Sequence, residues 1–149
     1  MDFTATPSTG SGGATTFLKI EDGQSVTGIF QGQPYTFWNK WIGSRSEVCS
    51  ETDPDKKFRF KINFVQKVNG TLTPLIWEGG GRLYDDLKKL NAEYTLEETI
   101  VKITRSGTGM ETRYSIMPIK ENQVDAGLKT LLSALTLHEL DPDVKELPF

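Results

Sequence analysis

Hydrophobic and polar residues alternate most regularly between positions 57 and 68, where the chain reads KFRFKINFVQKV. Every second residue from Phe58 to Phe64 is aromatic or aliphatic, and the residues between them are basic or amide side chains. This period of two predicts a strand with one buried face and one cationic face. Asn69-Gly70 is the pair preferred in a tight hairpin turn, so residues 71–78 are expected to return as a second strand.

An earlier segment, residues 24–41, predicts a long first strand that is interrupted by Gly28, Gly32 and Pro34. Glycines inside a strand commonly mark a bulge or bend, which would let the strand curl and pair on both sides. Its second half, YTFWNKW, places Tyr35, Phe37, Asn39 and Trp41 on one face and Trp38 with Lys40 on the other. Trp38 and Lys40 are predicted to be the exposed pair. The alternative is that all four aromatic rings pack under the following loop.

The remaining pattern predicts alternating loops, strands and helices. Residues 42–55 are expected to form a polar loop closed by a turn at 53–55, and residues 82–94 an amphipathic helix. Residues 99–105 and 112–119 predict two further strands joined by a glycine-containing loop. Residues 121–140 predict a C-terminal helix with Asp125 as its N-cap, packed on its own domain or, alternatively, on a second copy or a partner.

Three strands, a helix and two strands follow one another in the order of the five-stranded OB barrel. The predicted fold class is therefore mainly β, with a helix between strands 3 and 4 and a helix at the C-terminal end. An open sheet with a helix on one face would show the same pattern and stays the alternative. The expected organisation is a flexible leader (1–16), an OB domain (17–120), the helix (121–140) and an acidic tail (141–149).

The amino-acid composition limits the functions that the chain can have. The net charge is −3, but residues 17–120 carry 15 Lys and Arg against 13 Asp and Glu, whereas residues 121–149 carry 2 against 6. A mildly basic body is thus joined to an acidic end. One cysteine and one histidine leave no basis for a disulfide, a zinc site or a nucleophile–histidine pair, so we expect no cofactor, no metal and no enzyme activity. No apolar run is long enough to span a membrane, and no secretory signal is visible, so an intracellular, cytoplasmic protein is expected.

A cationic face with aromatic neighbours suits a single-stranded nucleic acid, because cations bind phosphates and rings stack on bases. Trp77 shares its phase with Leu75, so a core position is its alternative, and for Tyr114 a core position is the preferred interpretation. The candidate nucleic-acid-binding residues are Trp38, Lys40, Trp41, Arg59, Lys61, Trp77, Arg105 and Arg113, with Lys57 and Lys102 as weaker phosphate ligands.

Three segments, FRFKINFVQ with its hairpin, ITRSGTGMETRYSIMPI and the final ELPF, resemble bacteriophage single-stranded-DNA-binding proteins of the OB-fold type. The resemblance implies binding of single-stranded DNA without sequence specificity in phage replication, recombination or repair. It also implies that Leu147, Pro148 and Phe149 bind replication or recombination proteins. We further expect the acidic end to occupy the basic groove weakly when DNA is absent. A protein-interaction module and a single-stranded RNA binder are the alternatives.

Overall fold

The computed structural model describes residues 17–140, apart from the side chains of residues 120–123. The leader and the tail predicted at the two ends lie outside the described residues. The described elements are β1 (Ser25–Ile42), β2 (Arg45–Val48), β3 (Lys57–Val68), β4 (Thr71–Gly80), α1 (Gly81–Tyr94), a 3-10 turn (Leu96–Glu98), β5 (Thr99–Ser106), a second 3-10 turn (Gly109–Glu111), β6 (Arg113–Gln123) and α2 (Ala126–Ser133). No helix in this part of the chain is long and apolar enough to cross a membrane.

The strands form one antiparallel sheet in the order β4-β3-β1-β5-β6, and β2 pairs with the end of β1. The predicted mainly β class is confirmed. The barrel is not, because β4 and β6 remain the two edges of the sheet over the residues described. The edges approach each other through side chains, since the rings of Trp77 on β4 and Tyr114 on β6 lie 5.3 Å apart, edge to face.

The chain before β1 lies along the outer edge of β4. The backbone N–H of Leu18 donates to the carbonyl of Ile76 at 2.8 Å, and Phe17 forms a parallel bridge with the same residue. Leu18 and Ile20 are buried in the main core. This segment therefore satisfies part of the backbone edge that a closed barrel would have paired with β6.

The bend predicted in β1 is confirmed. The register of the β1–β3 pair shifts between Gln31 and Tyr35, and Gly32 has a positive φ of 77°. At Gly28 the strand pairs with β3 on one side and with β5 on the other. A Cβ atom at Gly28 would collide with the Val65 carbonyl and would lie 2.6 Å from the Phe64 ring, so the close approach of these strands requires glycine.

The β3–β4 hairpin is confirmed with its turn. Its register runs from Arg59 opposite Gly80 to Val68 opposite Thr71. Asn69 and Gly70 both have positive φ, 51° and 81°, as the tight turn requires. The alternation in the sequence fixes which β3 side chains face the core.

The main core lies on one face of this curled sheet. Phe60 and Phe64 of β3 are fully buried there, and Tyr84 of α1 packs against Phe60 with the ring centroids 5.4 Å apart. Both β5 and β6 contribute to the same cluster. The prediction that α1 uses an apolar side is confirmed, because Leu87 is buried and Leu83 and Leu90 pack on this core.

A second, smaller core covers part of the opposite face. Its buried members are Ile29 of β1, Val65 of β3 and Leu132 of α2. The Asp125 side chain accepts a hydrogen bond from the Leu128 N–H at 2.8 Å, which confirms the predicted N-cap. The C-terminal helix thus packs on its own sheet, although Leu131 remains 59% exposed.

Two boundaries differ from the sequence prediction. The predicted loop 42–55 contains β2, whose residues RSEV carry no apolar alternation and pair only with the end of β1. The predicted helix 121–140 is wrong at both ends, because residues 121–123 extend β6 and α2 ends at Ser133. Residues 134–140 instead run beside the sheet, where Asn63 hydrogen-bonds the backbone of His138 in place of a helical partner.

Candidate nucleic-acid interface

Strand register brings aromatic and basic residues to the same face of the sheet. Tyr35 lies opposite Lys61, Phe37 opposite Arg59, and Asn39 opposite Lys57. Directly opposed residues of an antiparallel pair project to the same side. The rings beside the cationic residues of β3 therefore come from the face of β1 that carries Tyr35, Phe37 and Trp41.

Trp41 is the exposed indole of this face. Its relative exposure is 68%, and it projects from the end of β1 where β2 begins to pair. Beside it is a groove of about 490 Å³, within the range of about 300–1,000 Å³ that is usual for ligand sites. We call this the Trp41 groove; it is lined by Asn39, Trp41, Ser46, Lys57, Phe58, Arg59, Glu78, Gly80 and Gly81.

Arg59 is held by an ion pair within this groove. Its Nε and Nη2 atoms donate to one oxygen of Glu78, at 3.2 and 3.1 Å. Both side chains are about one-third exposed, 34% for Arg59 and 30% for Glu78. A pair of this exposure contributes about 0–1 kcal/mol to stability, so a stronger anion can displace the carboxylate from the guanidinium.

Lys61 is on the predicted face, but the prediction that it is exposed is wrong. It is only 2% exposed, and its Nζ lies over the rings of Phe37 and Phe17, 5.5 and 6.0 Å from their centroids. The alternation in β3 determines the side on which Lys61 projects. The two rings come from other parts of the chain, Phe37 from β1 and Phe17 from the segment that bridges to β4.

Trp38 and Lys40 do not form the predicted exposed pair. Trp38 is half-buried and contacts Phe58 edge to face, with centroids 5.6 Å apart. The Lys40 Nζ lies 2.6 Å from the Asp53 carboxylate. That hydrogen bond and the opposite charge raise the pKa of Lys40, and the same hydrogen bond is the largest cause that lowers the pKa of Asp53.

The other predicted cations occupy a different part of the sheet. Arg105 is half-buried and donates to the carbonyls of Ile20 and Gly107 at 2.8 and 3.2 Å. Arg113 is exposed and donates to the Thr112 carbonyl at 2.8 Å. Of the eight predicted residues, the Trp41 groove brings together Trp41 and Arg59.

Trp77 belongs to the core, which corrects its prediction as an exposed stacking ring. It is 3% exposed and stacks on Phe30, with ring centroids 5.9 Å apart. Its phase within β4 matches that of Leu75, which also packs on the main core. Tyr114 packs against the core as the preferred interpretation expected.

Glu78 is not among the predicted site residues, and Lys57 is predicted only as a weaker phosphate ligand. Lys57 is exposed and lines the Trp41 groove. Glu78 could have been found from the predicted hairpin, because pairing residues symmetrically about Asn69-Gly70 places Lys61 opposite Glu78, next to Arg59. Lys57 could have been found from the alternation in β3, which places it on the same face as Arg59. The predicted partner-binding residues Leu147, Pro148 and Phe149 lie outside the described residues.

The side chains of the Trp41 groove are of the types that bind a single-stranded nucleic acid. An indole can stack on a base while Lys57 and Arg59 bind phosphate oxygens. Within the described residues, no group of three His, Cys, Asp or Glu side chains is close enough to hold a metal ion. The pKa values of Lys40, Asp53 and Tyr94 are shifted, and none of these three residues lines the Trp41 groove.

Comparison with known proteins finds no match: no family model, no curated protein and no solved structure is significantly similar to this chain. The family resemblance therefore rests on the sequence motifs alone.

Proposed function

We propose that this protein binds single-stranded DNA without reading its sequence, and that the Trp41 groove holds the strand. The observation that carries the proposal is the position of the 68%-exposed Trp41 ring in one groove with Lys57 and Arg59. Base stacking on an aromatic ring contributes about 1–3 kcal/mol and tolerates any base. The two cations supply the complementary attraction for the phosphates.

The shape of the sheet supports the same proposal. β1 pairs on both sides, and strands of both sheet edges contribute to one core, as the OB fold requires. We propose that the chain is a variant of that fold in which residues 17–20 lie where β4 and β6 would pair. OB folds bind oligonucleotides on the strands that correspond here to β3 and β4.

The resemblance of the three sequence segments to phage proteins extends the proposal to a biological role. A protein of this kind would protect and organise single-stranded DNA during phage replication, recombination or repair. Leu147, Pro148 and Phe149 would then bind a replication or recombination protein. These statements are proposals that rest on the three resembling segments of the sequence.

The test is a titration of the full chain with oligo(dT), oligo(rU) and duplex DNA, followed by tryptophan fluorescence. We expect quenching by single strands, with log K falling against log salt by about 0.7 for each phosphate neutralised. Quenching by oligo(rU) alone would favour the RNA alternative. The absence of any change with all three ligands would contradict the proposal and favour a protein-interaction module.

A matched pair of variants connects binding to the groove. Trp41→Ala should remove most of the quenching, whereas Trp38→Phe should preserve it because Trp38 projects to the opposite side of β1 and does not line the groove. Equal losses in the two variants would show that the indole in the Trp41 groove is not the stacking ring.

A further inference from the structure

A second groove, of about 310 Å³, is also lined by Arg59 and Glu78. We call it the Tyr114 groove. It lies between the chain before β1 and the edges of β4 and β6, where the sheet fails to close. The lining residues with polar or charged side chains are Lys19, Arg59, Glu78, Arg105 and Tyr114.

The two grooves share the Arg59–Glu78 ion pair, because both residues line both grooves. A strand that leaves the Trp41 groove toward the β4 edge of the sheet has to pass this pair. The guanidinium can then exchange its carboxylate for a phosphate, since both are bound by the same N–H donors.

The charges of the Tyr114 groove suit a polyanion. Lys19, Arg59 and Arg105 are cationic, and Glu78 is the one carboxylate among the lining residues. Arg105 donates to the carbonyls of Ile20 and Gly107. These acceptors are neutral, so they orient the guanidinium without cancelling its positive charge.

We propose that the Tyr114 groove is a second subsite for a phosphate of the same strand, and that Glu78 lowers affinity by competing for Arg59 between the two subsites. The inference rests on the proposed function, since it names the continuation of that site. It assigns Lys19 to phosphate binding and gives Glu78 an inhibitory role.

The experiment measures binding of oligo(dT) of increasing length, from about 4 to about 16 nucleotides, which spans the site sizes known for OB folds. Lys19→Ala should leave the shortest bound oligonucleotide unaffected. Above a threshold length it should weaken binding and reduce the slope of log K against log salt by about 0.7, the loss of one phosphate contact. Lys89→Ala, an exposed lysine on α1 outside both grooves, is the control and should match wild type.

Glu78→Gln provides an independent measurement. It should tighten binding by about two- to fivefold, the size expected from one exposed ion pair, because Arg59 no longer has a competing carboxylate. Glu98→Gln removes a carboxylate that pairs with Lys129 at 3.4 Å, outside both grooves, and should leave affinity unchanged.

The outcomes separate this inference from the proposed function. Binding that requires Trp41 but is insensitive to Lys19 at every length, or to Glu78, would overturn the second subsite and leave the proposed function in place. A Lys19 effect of equal size at all lengths would also overturn it. If wild type binds no oligonucleotide, both proposals are wrong.

Discussion

The Asn63 side chain holds the backbone of His138 through two hydrogen bonds. Its Nδ2 donates to the His138 carbonyl at 3.0 Å, and its Oδ1 accepts from the His138 N–H at 2.9 Å. The next same-face residues of β3 toward the Trp41 groove are Lys61, Arg59 and Lys57. The nine residues 141–149 span at most about 30 Å when fully extended. The distance from Asn63 to Lys57 along β3 is shorter, about 20 Å.

Deletion of residues 141–149 should raise affinity for single-stranded DNA, most strongly at low salt. The deleted segment carries three Asp and Glu residues against one Lys, and it starts within reach of the cationic face. Fluorescence anisotropy with labelled oligo(dT) at several salt concentrations measures the change. Equal affinities of the deletion variant and wild type at every salt concentration would show that the acidic end does not compete with DNA.

Replacement of Trp41 by Ala should weaken binding by about 1–3 kcal/mol, the contribution of one stacked base. Because the ring is 68% exposed and is absent from both core clusters, the free energy of unfolding should change little. Urea denaturation and DNA titration of the same sample separate the two effects. A loss of stability comparable with the loss of affinity would indicate that Trp41 has a structural role instead.

Replacement of Gly28 by Ala should destabilise the fold by about 1–3 kcal/mol, since the added Cβ overlaps Val65 and Phe64 where three strands meet. Gly127→Ala is a control with the same chemical change. Gly127 lies in α2, where an added Cβ atom would lie 3.5 Å from its nearest neighbour, the Asp125 carboxylate. Alanine should therefore stabilise the helix by up to about 1 kcal/mol. A urea midpoint of Gly28→Ala equal to or above that of wild type would refute the overlap at Gly28.

The Lys40–Asp53 pair should respond to pH in a defined direction. The Lys40 hydrogen bond lowers the pKa of Asp53 below its ordinary value of 3.8, so the stabilising pair is present above that value and is lost as pH falls through the lowered pKa. Asp53 raises the pKa of Lys40 above 10.5, so on the basic side the pair is lost as pH rises through the raised value. An NMR titration of the Asp53 carboxyl group measures its pKa and hence the loss of the pair at acid pH.

Lys40→Met is the matched variant for that titration. It removes the largest cause of the shift, so the pKa of Asp53 should move upward, toward 3.8. The Asp55 N–H, 2.9 Å from Asp53 Oδ1, should keep part of the lowering. An Asp53 titration that is identical in wild type and Lys40→Met would contradict the ion pair.

Local sequence signals predicted the elements whose formation depends on neighbouring residues. Asn69-Gly70 predicted the hairpin because few other residues accept positive φ at both turn positions. Gly32 predicted the bend in β1 for a similar reason. β2 could not be predicted in this way, since its four residues form a strand only because the end of β1 offers backbone partners.

The sequence by itself determined which side of each strand is apolar, since alternation fixes the side to which a side chain projects. Only the tertiary structure decided what covers each side. The rings of Phe17 and Phe37, both distant in sequence, lie over the buried Lys61, while Trp41 projects beyond the part of β1 that pairs with β3 and stays exposed. The edge of β4 is likewise covered by a long-range contact, because residues 17 and 18 bond to Ile76. Exposure is thus a property of distant packing partners, which a periodic pattern within one strand does not contain.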